Sequence, residues 1–203
     1  MAQPSSDIAF TPVVKAAQAL RGSRKSYERL EAKGGFMETI TPDLEAFVAE
    51  RGSFYLGTAN AEGQPYIQHC GGPKGFLKVL DESTFAFADF GGNRQYITLG
   101  TLEENDKALI FLMDYPNRRR IKTWGTARYV EDDPALLARL AEPAYKGKPK
   151  RAIVFTLKAW DVNCPQHITP RFTLEDLEPA LDTLKARIAE LEAEVAVLKG
   201  AVN

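Results

Sequence analysis

Between Ser53 and Val162 the chain is a succession of short apolar runs with a two-residue period, most of them closed by a turn signal. That pattern restricts it to a mainly antiparallel sheet. "SFYLGTAN" and "PYIQHC" are joined by Ala61-Glu62-Gly63-Gln64, which reads as a hairpin. "GFLKVLD" and "TFAFADF" flank the turn-like Asp81-Glu82-Ser83. "KALIFLMD", "RRIKTWGTARYV" and "RAIVFTLKAWDV" follow, with a short helical pattern, "DPALLARLAEP", between the last two. Strands alternating with long helices are absent, which argues against a doubly wound nucleotide fold and for a small antiparallel barrel.

The flanks have a different period. Residues 1–40 read as an N-terminal arm in which "TPVVKAAQAL" and "KSYERLEAK" are weak helical patterns. "TPDLEAFVAERG" predicts a short helix capped by Thr41, with Pro42 at its first position and Leu44, Phe47 and Val48 on its apolar face. Residues 41–172 form the barrel domain and 173–203 a C-terminal helix. In that helix Leu181, Leu184, Ile188, Leu191, Val195 and Leu198 step by threes and fours, which is a coiled-coil seam. Pro179 is expected to mark the start of the continuous helix. So short a seam needs cover, either from a partner helix or from its own barrel.

With 203 residues and a net charge of -1, the chain can bury a real core but carries no global field for nucleic acid or an anionic membrane. No stretch reaches the length of a membrane span. The N-terminus has an acid before its apolar patch and no basic leader, which predicts no signal peptide. Two cysteines make no disulfide framework, so a cytoplasmic setting is expected.

Four stretches carry candidate chemistry. In "ADFGGNRQYI" a strand ends in Ala88, Asp89 and Phe90, and Asn93, Arg94 and Gln95 then open what reads as a helix. The bland reading is a helix cap beside a solvated arginine, and the sharper one is a phosphate seat. Ala86 and Ala88 on one strand face leave room for something flat. In "PYIQHCGGPKG", Gln68 and Cys70 share one face while Ile67 and His69 share the other. The two histidines and two cysteines fall in "HC" at 69–70 and "CPQH" at 164–167. Adjacent strand residues point oppositely, so no metal site is expected. "YPNRRRIK" reads as a solvated hairpin rather than a nucleic-acid patch. Neither a Ser-His-Asp order nor a P-loop is present.

Taken together, "FYLGTAN", "GQPYIQHCGGPKGFLKVLDESTFAFADFGGNRQYI" and "NDKALIFLMDYPNRRRIKTWGTARYV" resemble the pyridoxamine 5'-phosphate oxidase-like family of FMN-binding split barrels, over about Leu44 to Arg171. The resemblance implies an α+β, mainly β fold: a six-stranded antiparallel split β-barrel with peripheral helices. It implies a homodimer with FMN at the interface. Asn93, Arg94 and Gln95 match the family's phosphate-binding triplet, with Gln95 in place of a lysine. Ile67, Gln68, His69 and Cys70 match the strand along the flavin ring edge, and Ala88, Asp89 and Phe90 the segment beneath the ring and ribityl chain. Trp160 matches a tryptophan that reaches the partner's flavin, and Trp124 is a further lining candidate. The Arg-x-His-Asp-Arg-type segment of true pyridoxamine phosphate oxidases is replaced by "NCPQHITPRF", which counts against pyridoxal phosphate synthesis.

The expected function is an FMN-dependent oxidoreductase acting on a small molecule, with His69, His167 and Tyr115 as proton donors or substrate contacts. The alternative is a flavin-, deazaflavin- or heme-binding module that stores or senses without turnover.

Overall fold

The computed structural model describes residues 3–90, 94–142 and 149–201. The chain falls into two compact units, Met1–Asp114 with Arg119–Pro165, and Tyr115–Arg118 with Gln166–Asn203.

The first unit begins with a 3-10 turn (Ser5–Ile8) and three helices, α1 (Pro12–Leu20), α2 (Arg24–Glu31) and α3 (Pro42–Ala49). Thr41 caps α3 as its sequence predicts, accepting from the Leu44 N–H at 3.3 Å. The strands are β1 (Ser53–Ala59), β2 (Pro65–Gly71), β3 (Lys78–Asp81), β4 (Thr84–Asp89), β5 (Lys107–Asp114), β6 (Arg119–Val130) and β7 (Arg151–Val162). They form one sheet in the order β2-β1-β5-β6-β7-β4-β3, and every pairing is antiparallel.

Seven strands stand where six are expected. In "GFLKVLD", Phe76 and Leu77 turn into the core, and only the rest pairs with β4 as a short strand of its own. The edges β2 and β3 have one partner each, so hydrogen bonding leaves the sheet open. It nevertheless curls. Phe54 on β1 meets Phe87 on β4 edge-to-face at 4.9 Å, although three strands lie between them in the sheet order. A register shift at Trp124/Gly125 adds local bend to β6.

Alternation decides what the curled sheet encloses. Phe54, Leu56, Ile110, Leu112, Ile121 and Phe155 point inward and meet Leu44, Phe47 and Val48 of α3. Each such side chain contributes about 1.5–3 kcal/mol on burial. On the other face, Ala86 and Ala88 pack with Ala152, Val154 and Leu140. Leu140 belongs to α5 (Pro134–Leu140), whose first turn is capped by Asp133 at 2.9 Å from the Leu136 N–H. The room beside the two alanines is therefore filled by a helix and is not left for a flat ligand. Small side chains let the helix approach the sheet closely.

The arm folds onto this unit. Phe36 stacks on Trp124 with ring centroids 5.2 Å apart, and the Trp160 indole N–H donates to the Thr39 carbonyl at 2.8 Å. Lys15 bridges Asp7 (2.5 Å) and Glu31 (3.2 Å), and Arg24 also pairs with Glu31.

The second unit is dominated by α6 (Leu174–Ala201). Contrary to expectation, Pro179 lies inside this helix. The reason is a reciprocal cap upstream. The Asp176 N–H donates to the Thr173 hydroxyl oxygen at 3.1 Å, and the Thr173 N–H to the Asp176 carboxylate at 2.8 Å. That cap nucleates the helix before the proline, which then removes only one backbone hydrogen bond.

Candidate functional site

β4 ends at Asp89 and is followed by Phe90; Gly91, Gly92 and Asn93 lie outside the described residues, and Arg94 comes next. Arg94 (φ 61°) and Tyr96 (φ 55°) both occupy the left-handed region, uncommon for side chains of this size. α4 (Ile97–Glu104) starts only after them. Arg94 and Gln95 thus precede the helix rather than open it, because Tyr96, its N-terminal flank, is held in that left-handed conformation. Two such residues in three is the kind of local strain that clusters at ligand-holding sites.

α4 ties this corner to the far edge of the sheet. The Thr98 hydroxyl donates to the Gln68 side-chain carbonyl on β2, and the Thr58 and Thr101 hydroxyls meet at 3.0 Å. Between corner and edge lies a cleft of about 820 Å³, lined by Tyr66 and Gln68 of β2, by Asp89 and Phe90, and by the run Arg94 to Thr98. Tyr129, Glu131, Lys150 and Arg151 complete it.

Arg151 organises the wall. Its Nε donates to Asp89 Oδ2 at 3.0 Å and its Nη1 reaches Glu131 Oε1 at 3.5 Å. The same guanidinium lies over the rings of Tyr96 (5.2 Å) and Tyr129 (5.7 Å). Burial is the largest single influence and works against its charge, but the Asp89 carboxylate together with Tyr129 and Glu131 outweighs it and raises the guanidinium's pKa. Burial also pushes the Tyr129 hydroxyl far above its usual range, reinforced by Asp89, so it stays a neutral hydrogen-bonding group. The wall has three cations against two carboxylates. Among the described residues, neither Arg94 nor Lys150 has a carboxylate within ion-pair distance, so the surplus positive charge sits with them.

Five sequence candidates converge here: Gln68, Asp89, Phe90, Arg94 and Gln95. Cys70 lies on the same strand face as Gln68 but is buried in the core, and burial raises its thiol to about 12. Ile67 and His69 are exposed on the opposite face, where His69 packs edge-on to Tyr55 at 5.4 Å. Ala88 is buried beside α5. Trp124 stacks on Phe36, and Trp160 is buried with its indole N–H committed to the arm. His167 and Tyr115 belong to the second unit. Neither tryptophan lines the cleft.

Sequence reasoning missed Tyr66, Tyr96, Tyr129, Glu131, Lys150 and Arg151. Their common signal is position: apart from Tyr66 and Tyr96, each lies at or next to an end of β6 or β7, and the sheet order alone puts β7 beside β4 and β6 beyond it.

A family model described as pyridoxamine 5'-phosphate oxidase matches residues 40–164. No curated protein matches the sequence. Among solved structures, HupZ from Group A Streptococcus is 20% identical, with a TM-score of 0.51 over 66% of this chain and 99% of its own. An FMN-binding protein from Syntrophomonas wolfei subsp. wolfei is 16% identical, with a TM-score of 0.47 over 72% of this chain and 97% of its own. The likeness to HupZ is one of fold.

Proposed function

The chain belongs to the pyridoxamine 5'-phosphate oxidase family, and on that premise we propose that its cleft binds FMN and that the protein is an oxidoreductase acting on a small molecule. The observation that carries this reading is the gathering of Arg94 and Lys150 with the aromatic side chains of Phe90, Tyr96 and Tyr129 in one cleft. A phosphate requires cations that are not already neutralised, and a ring system requires flat apolar walls. The volume of about 820 Å³ falls in the range of roughly 300–1,000 Å³ typical of cofactor sites.

In this reading Arg94 and Gln95 hold the phosphate, with Lys150 adding long-range attraction. Asn93 joins them, as the family triplet implies. Gln68, positioned by Thr98, offers an amide to the polar edge of the ring. Asp89 and Arg151 keep the wall in place and do not bind the phosphate, since each already holds the other. A bound flavin supplies electron and hydride transfer, and the protein orients it and limits solvent access. The same reading takes the curled sheet as one half of a split-barrel homodimer that completes the site from a second subunit. It places the protein in the cytoplasm, in keeping with two unpaired cysteines.

The test is the visible spectrum of the freshly purified protein, followed by denaturation and identification of what is released. Released FMN, followed by turnover with a reduced nicotinamide and an electron acceptor, supports the reading. A different chromophore, or a colourless protein that takes up no added FMN, overturns it.

A further inference from the structure

We propose that α6 is a dimerisation helix that forms a parallel, in-register, two-stranded coiled coil with α6 of a second copy of this chain. The proposal is independent of the flavin reading.

The seam is longer than the six positions legible from its spacing. Because the helix starts at Leu174, ahead of Pro179, Leu174 and Leu177 extend it to four heptads. With Leu174 at position a, the a residues are Leu174, Leu181, Ile188 and Val195, and the d residues are Leu177, Leu184, Leu191 and Leu198. All eight are exposed, from 40% at Leu177 to 82% at Leu174. Pro179 takes position f, opposite the seam, where its missing N–H does not disturb the apolar stripe. Eight large apolar side chains on one face of a helix whose other faces carry charges, alanines and a single further valine, Val197, require cover.

Charge and side-chain shape identify the cover as a second copy. In a parallel pair, position g of one helix faces position e of the next heptad on the other. Arg187 then faces Glu192 of the second helix, and Glu194 faces Lys199. Symmetry repeats both contacts, and no like charges meet. An antiparallel pair layered Leu181 against Leu198 would also juxtapose opposite charges, Lys185 with Glu192 and Arg187 with Glu194. The charges therefore select a like helix without choosing its direction. Coverage of the seam makes that choice: within Leu174–Ala201 the antiparallel layering leaves Leu174 and Leu177 with no core residue opposite them, whereas the parallel register layers all eight. β-Branched Ile188 and Val195 at two of the four a positions, with leucine at every d, then favours two strands over three or four.

Two measurements on the full chain test this. The first is sedimentation equilibrium of Leu184→Asp/Leu191→Asp against the unaltered protein. These side chains are exposed, so the sheet should melt as before while the dimer dissociation constant rises at least tenfold. An unchanged dissociation constant overturns the proposal, and an unchanged constant with a lowered melting temperature would assign the seam to the chain's own sheet. The second is air oxidation of Leu198→Cys in a Cys164→Ser background. A covalent dimer of this variant alone supports the parallel register. A dimer that forms only on mixing with Leu181→Cys in the same background shows the helices antiparallel and overturns it.

Discussion

Arg94 and Arg151 stand in one cleft and do different work, and their partners separate the roles. Arg151 holds Asp89 at 3.0 Å and reaches Glu131, with side-chain exposures of 15% and 23% for the closer pair. Removing it leaves a partly buried carboxylate without its cation. Arg151→Ala should therefore lower stability in urea by about 1–3 kcal/mol. Arg94 has no such partner among the described residues. Arg94→Ala should leave stability within about 0.5 kcal/mol and weaken FMN binding by roughly 10- to 100-fold, the weight of a charge-assisted hydrogen bond. Urea melts and fluorescence titration with FMN, run on both variants, check the contrast. Equal stability losses would show that Arg94 is structural. Arg94 was legible because a guanidinium after two glycines at a strand end already suggests an anion seat. Arg151 was not, because it opens a strand that could pair anywhere, and its contact with Asp89 exists only through the β4–β7 register.

At the scale of elements, local chemistry and long-range packing divide the outcome. Helices α1 and α3 begin where Thr11 and Thr41 can cap them and Pro12 and Pro42 can follow. α3 was readable from its cap, because a cap and its helix lie within four residues of each other, whereas α1 was legible only as a weak helical pattern. The start of α6 was misjudged, because the Thr173–Asp176 cap outweighs the proline that follows. The bend in β6 is a tertiary matter. At Gly125 a Cβ would sit 2.0 Å from the Thr156 carbonyl and 2.8 Å from the Phe155 ring. The offending atoms include backbone of the neighbouring strand, which cannot swing aside. Gly125→Ala should thus destabilise by about 1–3 kcal/mol or more, with a shift in the urea midpoint and an unchanged slope. A midpoint equal to that of the unaltered protein would mean that the strands adjust freely at the bulge.

In the first unit, ion pairs among arm residues hold the arm together, and the two tryptophans tie it to the sheet. Asp7 and Glu31 are held below their ordinary values of 3.8 and 4.5, chiefly by hydrogen bonds from Lys15 and Arg24 respectively. A lowered folded-state value contributes stability that is present above the ordinary value and is lost as pH falls through the folded one. The arm should accordingly loosen below about pH 4.5, and more readily in high salt, because these groups are near solvent. Trp124 and Trp160, the only tryptophans, both touch arm residues, so their emission reports the change. Emission that stays flat from pH 6 to pH 3 would contradict this. By itself, the sequence determined that the chain is a mainly antiparallel sheet flanked by helices, which strands turn into which, and that an arginine corner follows β4. Periodicity, caps and turn residues act within a few positions of the chain, so they can be read in one dimension. Only the tertiary structure decided that the sheet curls open with seven strands, that α5 fills the alanine face, and that Arg151, Tyr129 and Lys150 share a cleft with Arg94. Those outcomes depend on strand register and on which faces meet, and residues some sixty positions apart carry no local mark of either.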